Sequence, residues 1–242
     1  MAVCLRVLML HGFRQNAAVF RRRTGAFRKA VAKQLKEKDM SIEFVFLDAP
    51  LVVTSDHEAV AEESKQRSWW DANALSVDSD SSNGDETQAF RYAHWEETVK
   101  YIKVFCSSQS AAFDGVVGFS QGACVTALLS ALAAQRSEGE LQWLKFGILI
   151  SAFPPRDPVL RMALYDQAQP IPIPCLHIWG EQDEIIRPSY SRLVMGAFEP
   201  QMQASYTHPG GHVVPSSKEV GAAVEEFLSA IRFRSRNDPA RM

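Results

Sequence analysis

Ser120, Asp183 and His212 are the residues whose types and spacing can do chemistry. Ser120 sits in Gly118-Phe119-Ser120-Gln121-Gly122, with the apolar pair Val116-Val117 before it and a run of good helix formers, Ala123 to Ala134, after it. That order reads as strand, sharp turn, helix. Such a turn strains the serine backbone and pushes its hydroxyl into the open, while the flanking glycines give room where strand and helix come closest. A serine hydroxyl is a poor nucleophile in neutral water, so it needs a base within hydrogen-bond reach and a third group to orient that base. Downstream, the strand Leu176-His177-Ile178-Trp179 ends in Gly180-Glu181-Gln182-Asp183, and Ala204-Ser205-Tyr206 ends in Thr207-His208-Pro209-Gly210-Gly211-His212. Twenty-nine positions separate Asp183 from His212, room for one helix and one strand. The chemistry this predicts is acyl transfer, with Ser120 as nucleophile, His212 as general base and Asp183 as the group that holds the imidazole.

Both partners have competitors nearby. His208 also follows the last strand, but Gly210-Gly211 gives the loop the freedom to fold back over the serine, which favours His212. Glu181 and Glu184 flank Asp183, and the strand-end turn favours Asp183. An attacked carbonyl develops negative charge that two fixed backbone N–H groups must hold. Gln121, the residue after the nucleophile at a helix N-terminus, supplies one. The loop His11-Gly12-Phe13 after the first central strand supplies the other, from Phe13.

The elements that position these residues alternate. Strands are expected at Leu5 to Leu10, Ile42 to Leu47, the run into Ser120, Phe146 to Ile150, Cys175 to Trp179 and Gln203 to Thr207. Helices are expected at Ala17 to Lys38, Tyr92 to Cys106, Ala123 to Gln135, Tyr190 to Phe198 and Ser217 to Phe233. The alternation predicts an α/β fold, a mostly parallel central sheet with helices on both faces, as a single domain over residues 1–233. The tail, Arg234 to Met242, reads as polar and frayed. In the first helix Val19, Phe20, Phe27, Val31 and Leu35 recur at helical spacing, which sends the arginines of Arg21-Arg22-Arg23 to solvent rather than to a phosphate or RNA. Residues 51–90 lose periodicity, and the acidic run at 76–88 is nearly free of apolar side chains and reads as a mobile loop. Within that region Arg67-Ser68-Trp69-Trp70-Asp71 stands out, since paired tryptophans either plug a core or wall a pocket. From Pro154 to Pro174 the prolines preclude one long helix, and the segment could cover a cleft.

The 242-residue composition, 46% hydrophobic and 22% charged with a net charge of −2, gives no electrostatic reason to expect nucleic acid or an anionic membrane as partner. No apolar stretch reaches the roughly 20 residues a membrane span needs. Cys4, Cys106, Cys124 and Cys175 lie singly, and no Asn-x-Ser/Thr sequon occurs, so a cytoplasmic protein with reduced thiols is expected. The scattered histidines show no metal-ligand spacing, and the chemistry needs neither metal nor cofactor.

With these residues in view, the chain resembles the FSH family of eukaryotic serine hydrolases, in particular the ovarian-cancer-associated gene 2 type of esterase. The matching segments are Leu10-His-Gly-Phe-Arg-Gln15, Phe20 with Arg23-Thr-Gly-Ala-Phe-Arg-Lys-Ala30, Trp69-Trp70, Phe113 through Gly122, Ser151-Ala-Phe153 and Gly211-His-Val-Val-Pro215. The resemblance implies an α/β-hydrolase fold, a Ser120, Asp183 and His212 triad, and hydrolysis of a small-molecule carboxylic ester or acyl-thioester. It also implies that Trp69, Trp70 and Phe153 bind substrate. The alternatives are thioesterase action on carrier- or protein-bound acyl groups and a hydrolase-fold binding module without turnover.

Overall fold

The computed structural model describes residues 3–53, 65–75, 88–135, 139–165 and 169–236. β1 (Val3–Leu10) leads through α1 (Ala17–Arg23) and α2 (Gly25–Lys36) to β2 (Met40–Leu47). Two short antiparallel pairs follow, β3 (Leu51–Val52) with β4 (Arg67–Ser68), and β5 (Asp71–Ala74) with β6 (Phe90–Ala93). The chain then alternates through α3 (Trp95–Ser107), β7 (Gly115–Phe119), α4 (Gln121–Ala134), β8 (Phe146–Ile150), α5 (Pro158–Tyr165), β9 (Cys175–Gly180), α6 (Pro188–Met195), β10 (Gln203–His208) and α7 (Lys218–Arg236).

The main sheet has six strands in the order β10-β9-β8-β7-β1-β2, and every pairing in it is parallel. From β1 the chain steps outward to β2, then returns past β1 to β7 and continues the other way. A crevice opens where the direction reverses, beyond the carboxyl ends of β1 and β7, because the two sets of crossovers pack on opposite faces. That crevice receives the loop after Leu10 and the turn at Ser120.

Both sheet faces are covered, so the inner strands β7, β8 and β9 are buried throughout and read as near-continuous apolar runs, while the edge strands β2 and β10 mix polar and apolar residues. Val7, Met9, Val117, Ile148 and Ile178 pack against Phe20, Phe27, Val31 and Leu35 of α1 and α2 and against Val220, Val224 and Phe227 of α7. On the other face Leu8, Leu10, Val116 and Leu149 meet Val99 and Ile102 of α3, the buried side of α4, and Trp69 and Trp70. Removing each such side chain from water contributes about 1.5 to 3 kcal/mol.

Several element boundaries depart from the sequence reading, each for a local reason. The helix expected from Ala17 to Lys38 is interrupted at Thr24, whose hydroxyl donates back to the Phe20 carbonyl (2.7 Å) beside the weak helix former Gly25. Arg21, Arg22 and Arg23 are exposed, and Arg21 and Arg28 lie over the Phe46 ring at 5.5 and 5.4 Å. Tyr92 belongs to β6 rather than to the helix after it, because His94 takes a left-handed backbone (φ 65) and the helix starts only at Trp95. Asp157 organises the proline-rich segment: its buried carboxylate accepts the Val159 and Leu160 N–H groups at the start of α5 and the Tyr92 N–H at 2.8 Å. α7 runs to Arg236, into the segment expected to fray. The acidic run at 76–88 lies, apart from Gln88, outside the described residues, as does the tail beyond Arg236.

Candidate active site

The turn at Ser120 is built by three constraints. The Ser120 N–H donates to the Ile150 carbonyl at 2.9 Å, which continues the β7–β8 ladder to the serine itself. Its carbonyl already accepts the Ala123 and Cys124 N–H groups, so the helix begins at the next residue. A Cβ on Gly118 would overlap the Gly122 carbonyl, and one on Gly122 would overlap the Leu10 carbonyl of β1. Only glycine lets α4 begin this close to the sheet. The result is Ser120 at φ 54 and ψ −115, a strained conformation for a side chain other than glycine.

Asp183 and His212 reach the serine from two further loops. His212 Nε2 lies 3.0 Å from Ser120 Oγ, and His212 Nδ1 lies 2.8 Å from Asp183 Oδ2. The other carboxylate oxygen, Oδ1, accepts the Ile185 and Ile186 N–H groups at 3.1 and 2.8 Å, and the side chain is buried. The carboxylate is thus held from one side by the backbone, with its remaining oxygen aimed at the imidazole. The two loops are tied together, since Glu181 N–H donates to His208 O and Gln182 N–H to Gly210 O. The imidazole of His212 packs on Phe119, ring centroids 4.8 Å apart. Of the competing residues, Glu181 and Glu184 are exposed. His208 is buried, and its Nδ1 accepts the Gly210 N–H at 3.2 Å, so it shapes the loop that presents His212. Burial lowers its pKa.

The first loop at the crevice folds on itself. Gln15 N–H donates to Gly12 O at 3.1 Å, Arg14 takes φ 58, and the Gln15 carboxamide oxygen accepts the Gly12 N–H at 3.3 Å. This tight turn leaves Phe13 N–H without a hydrogen bond among the described residues. Gln121 opens α4, so its N–H has no acceptor one turn back within the helix. Gly12 stands close enough to the serine that a Cβ there would meet the Ser120 Cβ at 3.3 Å. His11 anchors the loop from below: its Nε2 accepts the Ala49 N–H at 3.0 Å while Nδ1 donates to Gly12 O at 2.8 Å. Enclosure pushes the His11 pKa down to about 4, so the ring is neutral.

The tryptophan pair separates into two environments. Trp69 is 0% exposed, so its ring offers no surface to a ligand, and its indole N–H donates to His11 O at 2.8 Å. Trp70, 4% exposed, stacks on Tyr92 at 4.3 Å and meets Phe153 edge-on at 6.5 Å. Around them runs a network that local sequence patterns do not show. Gln121 Oε1 accepts the Trp69 N–H (3.1 Å), Gln121 Nε2 donates to Ser68 Oγ (3.0 Å), and Ser68 Oγ donates to Trp70 O (2.5 Å). No group of His, Cys, Asp and Glu side chains among the described residues is arranged to hold a metal ion.

A family model described as serine hydrolase (FSH1) matches residues 1–224. The chain belongs to the FSH1 serine hydrolase family. Among similar FSH1-like relatives, the protein named Esterase OVCA2 of Danio rerio is 34% identical over 245 residues, covering 94% of this chain and 97% of its own. Esterase CG5412 of Drosophila melanogaster is 34% identical over 215 residues, covering 89% of this chain and 70% of its own. Among solved structures, acyl-protein thioesterase 2 of Zea mays superposes with a TM-score of 0.58 at 16% identity, covering 96% of this chain and 95% of its own. That likeness places this FSH1 serine hydrolase in the α/β-hydrolase fold.

Proposed function

We propose that this FSH1-family chain is a serine esterase that cleaves small-molecule carboxylic esters of acyl chains through an acyl-enzyme intermediate, acting in the cytoplasm. The observation that carries the reading is the unbroken relay from Asp183 through His212 to Ser120, at 2.8 and 3.0 Å, ending on a serine in a strained turn. His212 Nε2 takes the Ser120 proton as Oγ attacks the ester carbonyl. The carbonyl oxygen becomes an oxyanion held by the Phe13 and Gln121 N–H groups, where loss of one donor costs about 3 to 4 kcal/mol of barrier. His212 then passes the proton to the leaving alcohol, and the acyl group stays on Ser120. Water, deprotonated by the same imidazole, releases the acid and restores the serine. Asp183 fixes Nδ1–H and stabilises the imidazolium in both halves. No step calls for a cofactor.

Labelling by a fluorophosphonate probe tests the nucleophile: wild type is labelled and Ser120→Ala is not. Turnover of p-nitrophenyl esters falls about 10⁴- to 10⁶-fold in Ser120→Ala, with the fold retained. A wild-type protein that stays unlabelled, or a small drop in Ser120→Ala, refutes the reading. The same relay serves a thioester, and the Zea mays neighbour is named as an acyl-protein thioesterase. Matched oxyester and thioester substrates of equal acyl length separate the two.

A further inference from the structure

The two amides assigned to the oxyanion stand on different elements, Phe13 in the loop after β1 and Gln121 at the start of α4. The β1–β7 ladder ends at the Leu10 and Gly118 pair, so the sheet itself does not fix the distance between residues 13 and 121. The segment from Arg67 to Trp70 bridges them. On one side its Arg67 N–H donates to Gln15 O (2.9 Å) and its Arg67 carbonyl accepts the Arg14 N–H (3.0 Å), a two-bond clamp on the residues that follow Phe13. The Trp69 indole N–H adds a third bond, to His11 O. On the other side Trp69 N–H and Ser68 Oγ hold the two ends of the Gln121 carboxamide. A backbone N–H can only donate, so Gln121 must turn Oε1 to Trp69 and Nε2 to Ser68. The segment is itself held from behind, because Thr98 Oγ1 donates to Trp69 O at 2.6 Å and the Arg67 guanidinium donates to Ala49 O at 3.0 Å. Apart from Arg67 and the exposed Arg14, these groups belong to buried residues, whose bonds would be costly to lose.

We propose that Arg67–Trp70 is a crossbar that sets the spacing of the two oxyanion donors, with the Gln121 carboxamide and the Ser68 hydroxyl as positioning groups. Gln121 then serves twice: its backbone N–H faces the oxyanion, and its side chain locks that N–H to the opposite loop. The paired tryptophans belong to the catalytic scaffold through their backbone and indole N–H groups, not only through apolar contact. The inference rests on the esterase reading and deepens it. Charge on the substrate oxygen grows only towards the transition state, so a slackened crossbar lowers kcat more than it raises KM.

Gln121→Met keeps the length of the side chain and removes both of its bonds, and Ser68→Ala removes the smaller partner. Each is expected to lower kcat about 10- to 100-fold per titrated active site, as displacement of a donor by a fraction of an ångström does, with KM within about threefold. A trifluoromethyl ketone, which binds as the tetrahedral adduct, should lose affinity by the same factor as kcat/KM. The double variant should lose no more than the worse single one, because both changes cut the same link. Ser130→Ala serves as control: it deletes a buried hydroxyl bond to the Thr126 carbonyl inside α4 and should leave kcat unchanged. If Gln121→Met folds poorly, Ser68→Ala carries the comparison. The crossbar is overturned if both variants lose stability as Ser130→Ala does yet keep wild-type kcat and inhibitor affinity per titrated site. That result leaves the esterase reading standing, whereas turnover surviving in Ser120→Ala removes the reading itself.

Discussion

Under the proposed mechanism, replacing Asp183 with asparagine should nearly abolish turnover while leaving the protein folded. Oδ1 of Asp183 accepts two backbone N–H groups, from Ile185 and Ile186. In Asp183→Asn only the carboxamide oxygen can satisfy those donors, so the NH₂ group must face His212 Nδ1. The imidazole then carries its proton on Nε2, pointing at Ser120, and has no lone pair to receive the serine proton. Reaching the working tautomer would press N–H against N–H in a buried site where the present contact is 2.8 Å, at a cost of about 1 to 3 kcal/mol for the unmet donors. The imidazolium also loses a carboxylate, worth about 4 kcal/mol at 4 Å and an effective dielectric near 20. Together these come to about 5 to 7 kcal/mol, a fall of about 10⁴- to 10⁵-fold in kcat. The assay is steady-state hydrolysis of a p-nitrophenyl ester, normalised to folded protein and paired with a thermal melt. Asp183→Ala is the informative contrast: it orphans the Ile185 and Ile186 N–H groups and should lower the melting temperature more than Asp183→Asn does. A rate for Asp183→Asn within tenfold of wild type would refute the tautomer argument and the role given to this carboxylate.

Gly122→Ala is expected to fail in a different way, by loss of soluble folded protein, since its methyl would overlap the Leu10 carbonyl and push α4 off the sheet; a well-folded variant with a normal melt would contradict the close approach. Acid should destabilise the fold through its neutral histidines. His11 and His177 are enclosed, and desolvation pushes their pKa values down to about 4 and about 3, below the ordinary 6.5. The unfolded chain therefore binds protons that the folded chain refuses, so stability falls as pH drops from about 6.5, by about 1.4 kcal/mol per pH unit for each histidine within its window. Urea melts between pH 6.5 and 4.5 measure that slope. In His177→Leu, where the lost ring makes no hydrogen bond among the described residues and packs on Phe198, the slope should shrink by one histidine's share; an unchanged slope would exclude His177 as a contributor.

Much of the site's framework could be read from the chain because it depends on near neighbours. Gly118, Ser120 and Gly122 fall within five residues and so show as a pattern, although only the Gly118 constraint is local, while that on Gly122 comes from Leu10 of β1. Apolar runs named the inner strands and their order named the edge ones, with ends displaced by a residue or two where ladders continue past the apolar side chains. Helix boundaries were less legible where a single conformation intervened, as at Thr24 and His94. The place of Asp183 and His212 at strand ends followed from order and spacing, and the strand-end turn and Gly210-Gly211 favoured them over Glu181 and His208; in the folded loops Asp183 is buried, Glu181 is exposed and His208 turns inward.

The sequence by itself singled out the candidates: a serine at a glycine-flanked turn, an acid and a histidine after the last two strands, and two backbone amides. Tertiary structure alone decided how Trp69 and Trp70 are used and what the Gln121 side chain holds. Those contacts join residues more than fifty positions apart, through single hydrogen bonds that leave no periodicity in the chain. A hydrophobic pattern records which face of an element is buried. It carries no record of which distant carbonyl an indole N–H will meet, because that is fixed only when β1, β7 and the segment between β4 and β5 come together at the crevice.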